Sequence, residues 1–564
     1  MDIQNNIGRQ FGVQRVRTLL LVFAGYFLLQ AISRGLISET LGMDDAQESL
    51  LAQKWRWGYG PQPPLYTWLV IMFSKVFGLS SFTMALLKNA LLFGIYLLTY
   101  FIARRITHSQ LVAVSAAAAL EFMPSIAYEA HRELTHSILA SFMVLATLLA
   151  FFRLQESDRV GRKTGAYVLL GVLGGLGMIS KYNYSIFYIS LFMAALLVKS
   201  WRPAVLNLRA AGALGITLLI ISPHLLWISD HPALAFSSAG KFDIDPTHSV
   251  KSMVHGVGSW ASTCLDQAGI LVLIFVLLCW REIFGRGFSK GFGMRKERAA
   301  NAPDLRSRPG STDLKGLLSP ALSSNPDFLG TSIGEGEETA RTMAAQPGAL
   351  GQGEASAPLV AARLDGLKLL VRMFIFSGAI IVLGIIISGA TNCRNRWLQP
   401  LVIPAPILVA AWCQQQLSRR RLKIILLLAV AIAGVVAIAA PGRILLTDRF
   451  RKGEALNTPF KDLADQLKQP LANVPILYCA ETAMAGNLRI WFPDKIITAP
   501  ATTNLHPPSF PCALVWDPSM RGSAPFLAGA AHLTGSSPAS AIYVEERLKY
   551  HQSKTMRLGL LRPP

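Results

Sequence analysis

The run Ile424–Ala440, IILLLAVAIAGVVAIAA, carries no charged side chain, and Arg419, Arg420, Arg421 and Lys423 stand immediately before it. Coiled as an α-helix, such a run is about long enough to cross ~30 Å of hydrocarbon, and a helix satisfies its own backbone donors and acceptors where water cannot. Comparable runs recur, among them Ile375–Ala390, IFSGAIIVLGIIISGA. Across 564 residues, 52% are hydrophobic and only 15% charged. That balance departs from soluble globular usage and makes a bilayer the expected solvent.

Setting the apolar runs against Lys/Arg clusters predicts an all-α polytopic membrane domain of about eleven transmembrane helices. They lie near Thr18–Ser38, Phe82–Ala103, Leu111–Met123, Ile138–Phe152, Ala166–Ile179, Ile186–Val198, Ala211–Ile228, Ala261–Trp280, Leu369–Ala390, Leu398–Trp412 and Ile424–Ala440. The basic clusters around Arg15, Arg104, Arg159, Arg202, Arg281 and Arg419 then share one face, which the positive-inside bias makes cytoplasmic together with the N-terminus. A net charge of +21 is thereby accounted for by membrane-flanking loops. No basic patch interleaved with aromatics points to nucleic acid. The opening segment lacks a small-residue cleavage site, so its apolar run reads as a retained first helix.

Residues 1–440 are expected to form this membrane domain. Within it, Leu65–Gly78, LYTWLVIMFSKVFG, is apolar but short and reads as a helix lying along the interface. The stretch of about 285–365, rich in Gly, Ser, Pro and charge, reads as a disordered cytoplasmic insert. Residues 441–564 differ in kind. Strand-like PILYC, KIITA, ALVWD and AIYVE alternate with helix-like LADQLKQPL and ETAMAGNLRIWF, predicting a small C-terminal α/β periplasmic domain. The six cysteines show no CxxC spacing, which argues against zinc. Cys479 and Cys512 both fall in this outer domain, where oxidation is permitted, and are candidates for a disulfide.

The outer loops hold the residues able to carry chemistry. In Met43–Leu69, MDDAQESLLAQKWRWGYGPQPPLYTWL, Asp44 and Asp45 follow the first crossing and Glu48 comes one turn later. A carboxylate at the membrane surface can take a proton from a hydroxyl or hold a cation; the same acids also suit a solvated helix start with Asp44 as its cap. The second outer loop brings Glu129, His131, Arg132, Glu133 and His136 together, and Lys181 ends a Gly-rich helix, where an ammonium calls for a phosphate partner or for snorkelling to the surface. His224, on an apolar stretch, reads as a satisfied buried histidine.

Several stretches resemble one family in order. The acidic pair with GYxxxPPL at Gly58–Leu65 is similar to the first outer loop of bacterial lipid-linked sugar transferases of the GT-C superfamily, related to protein O-mannosyltransferases and to lipid A aminoarabinose transferases. EFMPSIAYEAHRELTHSILASF, GLGMISKYNYS and SPHLLWISDHPALAFSSAGKF resemble its later segments, and NRWLQPLVIP, from Asn395, adds a weaker match. The resemblance implies an inverting glycosyltransferase taking a sugar from a polyprenyl-phosphate donor at the periplasmic face of the bacterial inner membrane. The implied acceptor is an envelope glycan such as lipopolysaccharide core or lipid A, another lipid, or a protein.

Residue by residue, the resemblance implies that Asp44 activates the incoming hydroxyl, with Asp45 and Glu48 shaping the site. Relatives often carry an acid where this chain has His136, so Glu133 becomes the candidate substitute. Some relatives place Lys where Gln62 stands, which moves the phosphate contact to Arg132, Lys181, His231, Lys241 or Arg396. Tyr59 and His136 are candidates for the substrate pocket. Asp44 could also hold a divalent cation, although basic side chains alone can stabilise a departing phosphate. The rival reading is a lipid or glycan transporter without sugar transfer; the absence of obvious two-fold internal symmetry and the placing of the acids in outer loops count against it.

Overall fold

The computed structural model describes residues 2–155, 160–284, 356–450 and 455–564. The chain opens with α1 (Asp2–Ile37), short α2 (Met43–Leu51) and α3 (Leu65–Phe77), then α4 (Ser81–Thr107), α5 (Gln110–Ala118) and α6 (Thr135–Arg153). Next come α7 (Val160–Met178), α8 (Tyr184–Leu197), α9 (Leu208–Asp230) and α10 (Val250–Phe284). The last membrane helices are α11 (Ser356–Ser388), α12 (Asn395–Val402), α13 (Ala405–Trp412) and α14 (Arg419–Leu445).

Among the described residues, seven helices are long and apolar enough to cross a bilayer, and nine crossings result if two bent pairs each count as one. The bends, 74° between Gln110–Phe122 and Ser125–Arg132 and 46° between Asn395–Val402 and Ala405–Gln415, fall at Pro124 and Pro404, where a missing N–H interrupts the helix ladder. The other two expected crossings correspond to α7 and to α8, a helix of 14 residues. The chain is thus a multi-pass membrane protein. Its centre is α4 and α6; α9, α11 and α14 present exposed Leu219, Ile387 and Val430 outward, the surface that lipid tails require.

Small residues let the helices approach. A Cβ on Gly171 of α7 would come within 2.6 Å of the Ala213 carbonyl oxygen of α9, so only glycine permits this backbone contact. The contact secures the end of α7, just before Lys181. The segment 285–355 of the expected insert lies outside the described residues, whereas from Ser356 the chain is already helical, because Pro358 is tolerated in a first helical turn and Leu359–Leu364 propagate α11.

Beyond α14 the chain forms α15 (Phe460–Lys468), β1 (Ile476–Cys479), α16 (Thr482–Trp491), β2 (Ile496–Thr498), β3 (Cys512–Trp516), α17 (Ser523–Ala530), β4 (Ile542–Leu548) and β5 (His551–Leu561). The sheet runs β2-β1-β3-β5-β4, with β1 parallel to β2 and β3, and β5 antiparallel to β3 and β4. Two boundaries differ from expectation. Helix α14 passes Pro441 and ends at Leu445, and β5 was not anticipated, its charged face being satisfied by Arg557 lying 4.2 Å over the Tyr543 ring. The expected Cys479–Cys512 disulfide is overturned: both are free and buried. Cys512 is level with Ile476 and Cys479 with Val515, an offset of three residues, or about 10 Å along the strands, beyond the ~7 Å that a disulfide spans.

The α/β domain grips α2. Leu50 of α2 enters the domain core with Leu463, Leu477 and Leu488. Ser49 Oγ donates to the Gly486 carbonyl at 2.7 Å, Leu41 N–H donates to Asn487 Oδ1 at 2.7 Å, and Gln53 exchanges two hydrogen bonds with Ile497 of β2. Helix α16 comes so near that a Cβ on Gly486 would stand 1.9 Å from the Ala46 carbonyl oxygen. Gly486→Val should therefore force the domain off α2 and destabilise the protein by about 1–3 kcal/mol, read as a lower unfolding midpoint and faster proteolysis of the C-terminal domain. An unchanged midpoint and digestion pattern would refute this packing.

Candidate active site

Gly42 precedes α2, so Asp44 and Asp45 occupy its first turn, where unpaired N–H groups and the helix dipole favour carboxylates. With 3.6 residues per turn, Asp44 and Glu48 share one face and Asp45 turns to another. Buried Asp45 pairs with buried Lys88 of α4, whose Nζ lies 3.2 Å from Oδ1. Glu48 accepts from Thr67 Oγ of α3 at 2.7 Å and lies 2.9 Å from Nε2 of His136. His136 Nδ1 is buried without a hydrogen-bond partner among the described residues, and its ring lies 5.3 Å from that of Tyr66. Burial, reinforced by the carboxylates of Asp45, Glu48 and Asp44, holds the Tyr66 phenol well above its ordinary pKa.

Asp44 is fixed from two sides. Its Oδ2 accepts from the Leu134 N–H at 2.9 Å, and its Oδ1 lies 3.6 Å from Nη1 of Arg396 on α12. Leu134 has φ 74°, a left-handed conformation that costs a branched side chain about 1–2 kcal/mol and is retained beside the acid it supports. The same guanidinium donates through Nη2 to Glu133 Oε2 at 3.0 Å. Lys181 donates to Ser137 Oγ and to the Arg396 carbonyl, each at 2.5 Å. Burial lowers the Lys181 pKa to about 7, with the Arg396 charge acting in the same direction and Asp44 against it.

The fold thus gathers Asp44, Asp45, Glu48, Glu133, His136, Lys181 and Arg396 from four separated stretches of chain. It leaves others elsewhere. Tyr59 is buried against Leu51 and Leu505, donating to the Lys54 carbonyl at 2.7 Å and accepting from the Arg56 N–H, and burial raises its pKa to about 12. His231 is exposed and stacks 5.0 Å over Trp227. Lys241 is exposed and donates to Ser238 Oγ at 3.1 Å, although its loop reaches α12 through Phe242 against Trp397. Arg132 lies over the Tyr128 ring, and with Asp45, Lys88 and Glu133 it lines a cavity of about 250 Å³ beside the cluster. His224 is buried, its Nδ1 2.6 Å from the Trp57 carbonyl oxygen.

Three participants escaped sequence reading: Thr67, Ser137 and Lys88. The last had a legible signal, being an ionisable residue inside the apolar run SFTMALLKNALLFGIYLL. Among the described residues no group of three His, Cys, Asp or Glu side chains is placed to hold a metal; Asp44 faces a guanidinium. Chemically, the cluster offers a carboxylate oriented by an N–H and a cation, next to two basic groups that can receive negative charge.

Residues 61–227 match the family model for dolichyl-phosphate-mannose-protein mannosyltransferase, a region that includes Glu133 and Lys181 and starts after Asp44. Two lipopolysaccharide core galacturonosyltransferases of Rhizobium johnstonii are similar over most of their length. RgtA is 25% identical, covering 86% of this chain and 82% of its own, and RgtB is 26% identical, covering 88% and 86%. The crystal structure of ArnT from Cupriavidus metallidurans bound to undecaprenyl phosphate superposes with a TM-score of 0.54 at 14% identity, covering 96% of this chain and 98% of that one. Its apo form gives 0.53 at 13% identity. The superposition with ArnT shows a shared fold over nearly the whole of both chains, and the sequence is similar both to the mannosyltransferase family model and to the lipopolysaccharide core galacturonosyltransferases, as sugar transferases of the GT-C type are expected to be.

Proposed function

We propose that the protein transfers a sugar from a polyprenyl-phosphate carrier to a lipopolysaccharide core acceptor at the periplasmic face of the bacterial inner membrane, with inversion at the anomeric carbon. The observation that carries this reading is the position of Asp44, held by the Leu134 N–H and by Arg396, with Lys181 hydrogen-bonded to the Arg396 backbone. Asp44 takes the proton of the acceptor hydroxyl as that oxygen attacks the anomeric carbon. The bond from that carbon to the phosphate oxygen breaks, and polyprenyl phosphate leaves with the electron pair. Lys181 and Arg396 meet the charge that develops on it. Glu133 shares Arg396 with Asp44 and keeps the guanidinium turned toward the reacting groups.

Further support comes from the relatives: RgtA and RgtB are lipopolysaccharide core transferases, and the ArnT structure holds undecaprenyl phosphate. The basic clusters support the orientation of this reading, with the N-terminus in the cytoplasm and the acids and the α/β domain outside. A transporter would use ionisable groups to release cargo unchanged, whereas here a carboxylate and a cationic pair converge as bond cleavage requires.

With purified protein in nanodiscs, a labelled polyprenyl-phosphate sugar and core lipopolysaccharide, Asp44→Asn should lower transfer by about 10²–10⁴-fold with an unchanged unfolding midpoint. Transfer within tenfold of wild type would remove Asp44 as base, and movement of intact donor across proteoliposomes without cleavage would replace the reaction by transport.

Lys181 adds a pH dependence. Its ordinary pKa is 10.5 and its folded value about 7, so free protein carries the ammonium below about 7 and loses it above. A bound phosphodiester favours the ammonium, so donor affinity should be greatest below pH 7 and fall as pH rises from 7 toward 9. Lys181→Gln should bind donor weakly with no such slope; a slope identical to wild type in this variant would refute the assignment.

A further inference from the structure

The cavity beside Asp45 is not used by the steps just described, and its walls have a definite chemistry. Arg34 of α1, Lys88 of α4, Arg132 before α6 and Arg443 near the end of α14 line it, against only two acids, Asp45 and Glu133. Both acids already answer to a cation: Asp45 to Lys88, and Glu133 to Arg396. Lys88 is 2% exposed, and among the described residues its polar contacts run to a single carboxylate, whereas an ammonium offers three donors. A buried cation at the edge of a polar cavity is stabilised by a second anion placed there.

We infer that this cavity binds an anionic group of the acceptor, a phosphate or carboxylate carried by the saccharide that receives the sugar. The inference rests on the proposed reaction for its direction. In an in-line displacement the nucleophile must approach opposite the leaving phosphate, and Lys181 and Arg396 lie on the Asp44 face of α2. The cavity lies on the Asp45 face, and Glu133 touches both, lining the cavity while accepting from Arg396. An acceptor anion seated between Lys88 and Arg132 is therefore placed to present a neighbouring hydroxyl to Asp44. The cavity is bounded by α1 and α14, whose Leu36 and Ile438 are exposed, so a lipid-anchored acceptor has an apolar approach at the same helices. At about 250 Å³ it has room for one acidic group or sugar residue and none for a polymer.

The test uses full-length protein in nanodiscs and core lipopolysaccharide as the probe, either native or dephosphorylated and carboxyl-reduced, with binding read in the absence of donor. Native probe should bind about tenfold more tightly than its neutralised form, as loss of a charge-assisted hydrogen bond predicts. Arg132→Gln, at an exposed position, should abolish that preference while leaving binding of labelled polyprenyl phosphate within twofold. The double variant Asp45→Asn with Lys88→Gln, which removes the pair without stranding a buried charge, should do the same. Equal binding of both probe forms by wild type overturns the inference, and weakened polyprenyl phosphate binding in Arg132→Gln overturns it by assigning the cavity to the donor. Discriminating binding combined with no transfer in the donor assay would defeat the proposed reaction and leave the anion site standing.

Discussion

Everything at the site depends on α2 being held between two bodies that bury different sides of it. A nine-residue helix has too few hydrogen bonds to persist alone. Here Leu50 is anchored in the α/β core and the Ala46 backbone lies against Gly486, while Asp45 and Glu48 face α4 and α3. Clamping removes the freedom of Asp44, Asp45 and Glu48 to turn toward water, and burial then obliges each to find a partner. Lys88, Thr67, His136, the Leu134 N–H and Arg396 supply those partners. The C-terminal domain is thus part of the site's construction even though its own side chains are not in the acidic cluster.

The same clamp separates tasks that a flexible loop would blur. Adjacent residues on a helix point about 100° apart, so Asp44 and Asp45, identical in chemistry, meet different surroundings. Asp44 is half open, with one N–H donor and a guanidinium at 3.6 Å; Asp45 is buried against an ammonium. A proton acceptor must reach its substrate, whereas a buried ion pair chiefly fixes structure and charge. The geometry therefore favours Asp44 for proton transfer and Asp45 for holding Lys88 at the cavity wall.

Much of this was legible in the sequence because bilayer physics leaves little choice. Each of the eleven apolar runs became helical, and the four alternating strand patterns after Pro441 became β1 to β4. What periodicity could not convey was tertiary. Bends at Pro124 and Pro404 look in sequence like ordinary crossings, since a proline marks where a helix can break and not whether it turns. β5 escaped because Ser553, Lys554 and Arg557 hide its alternation, and the disulfide failed because sequence gives the strands without their register. Among site residues, Asp44, Glu133, Lys181 and Arg396 were legible as charges in segments between the apolar runs. Tyr59, His231 and Lys241 carried the same surface signals, yet their side-chain hydrogen bonds are local, since a polar residue in a loop is equally well satisfied by nearby chain.

His136 and Glu133 make sense together when charge is followed across the site. His136 Nε2 meets Glu48; an acid at this position would set two carboxylates side by side in a buried place, at a cost that only a shared proton or a cation relieves. With His136 present, Glu48 is satisfied by neutral or cationic donors, and the second exposed acid is Glu133, three residues earlier. Glu133 then needs a cation, which is Arg396. Arg396 in turn brings its carbonyl to Lys181 and so fixes the ammonium beside Ser137. Charge is thus balanced through a chain of neighbours, and the cationic side of the site is built from α12 and the α7–α8 turn.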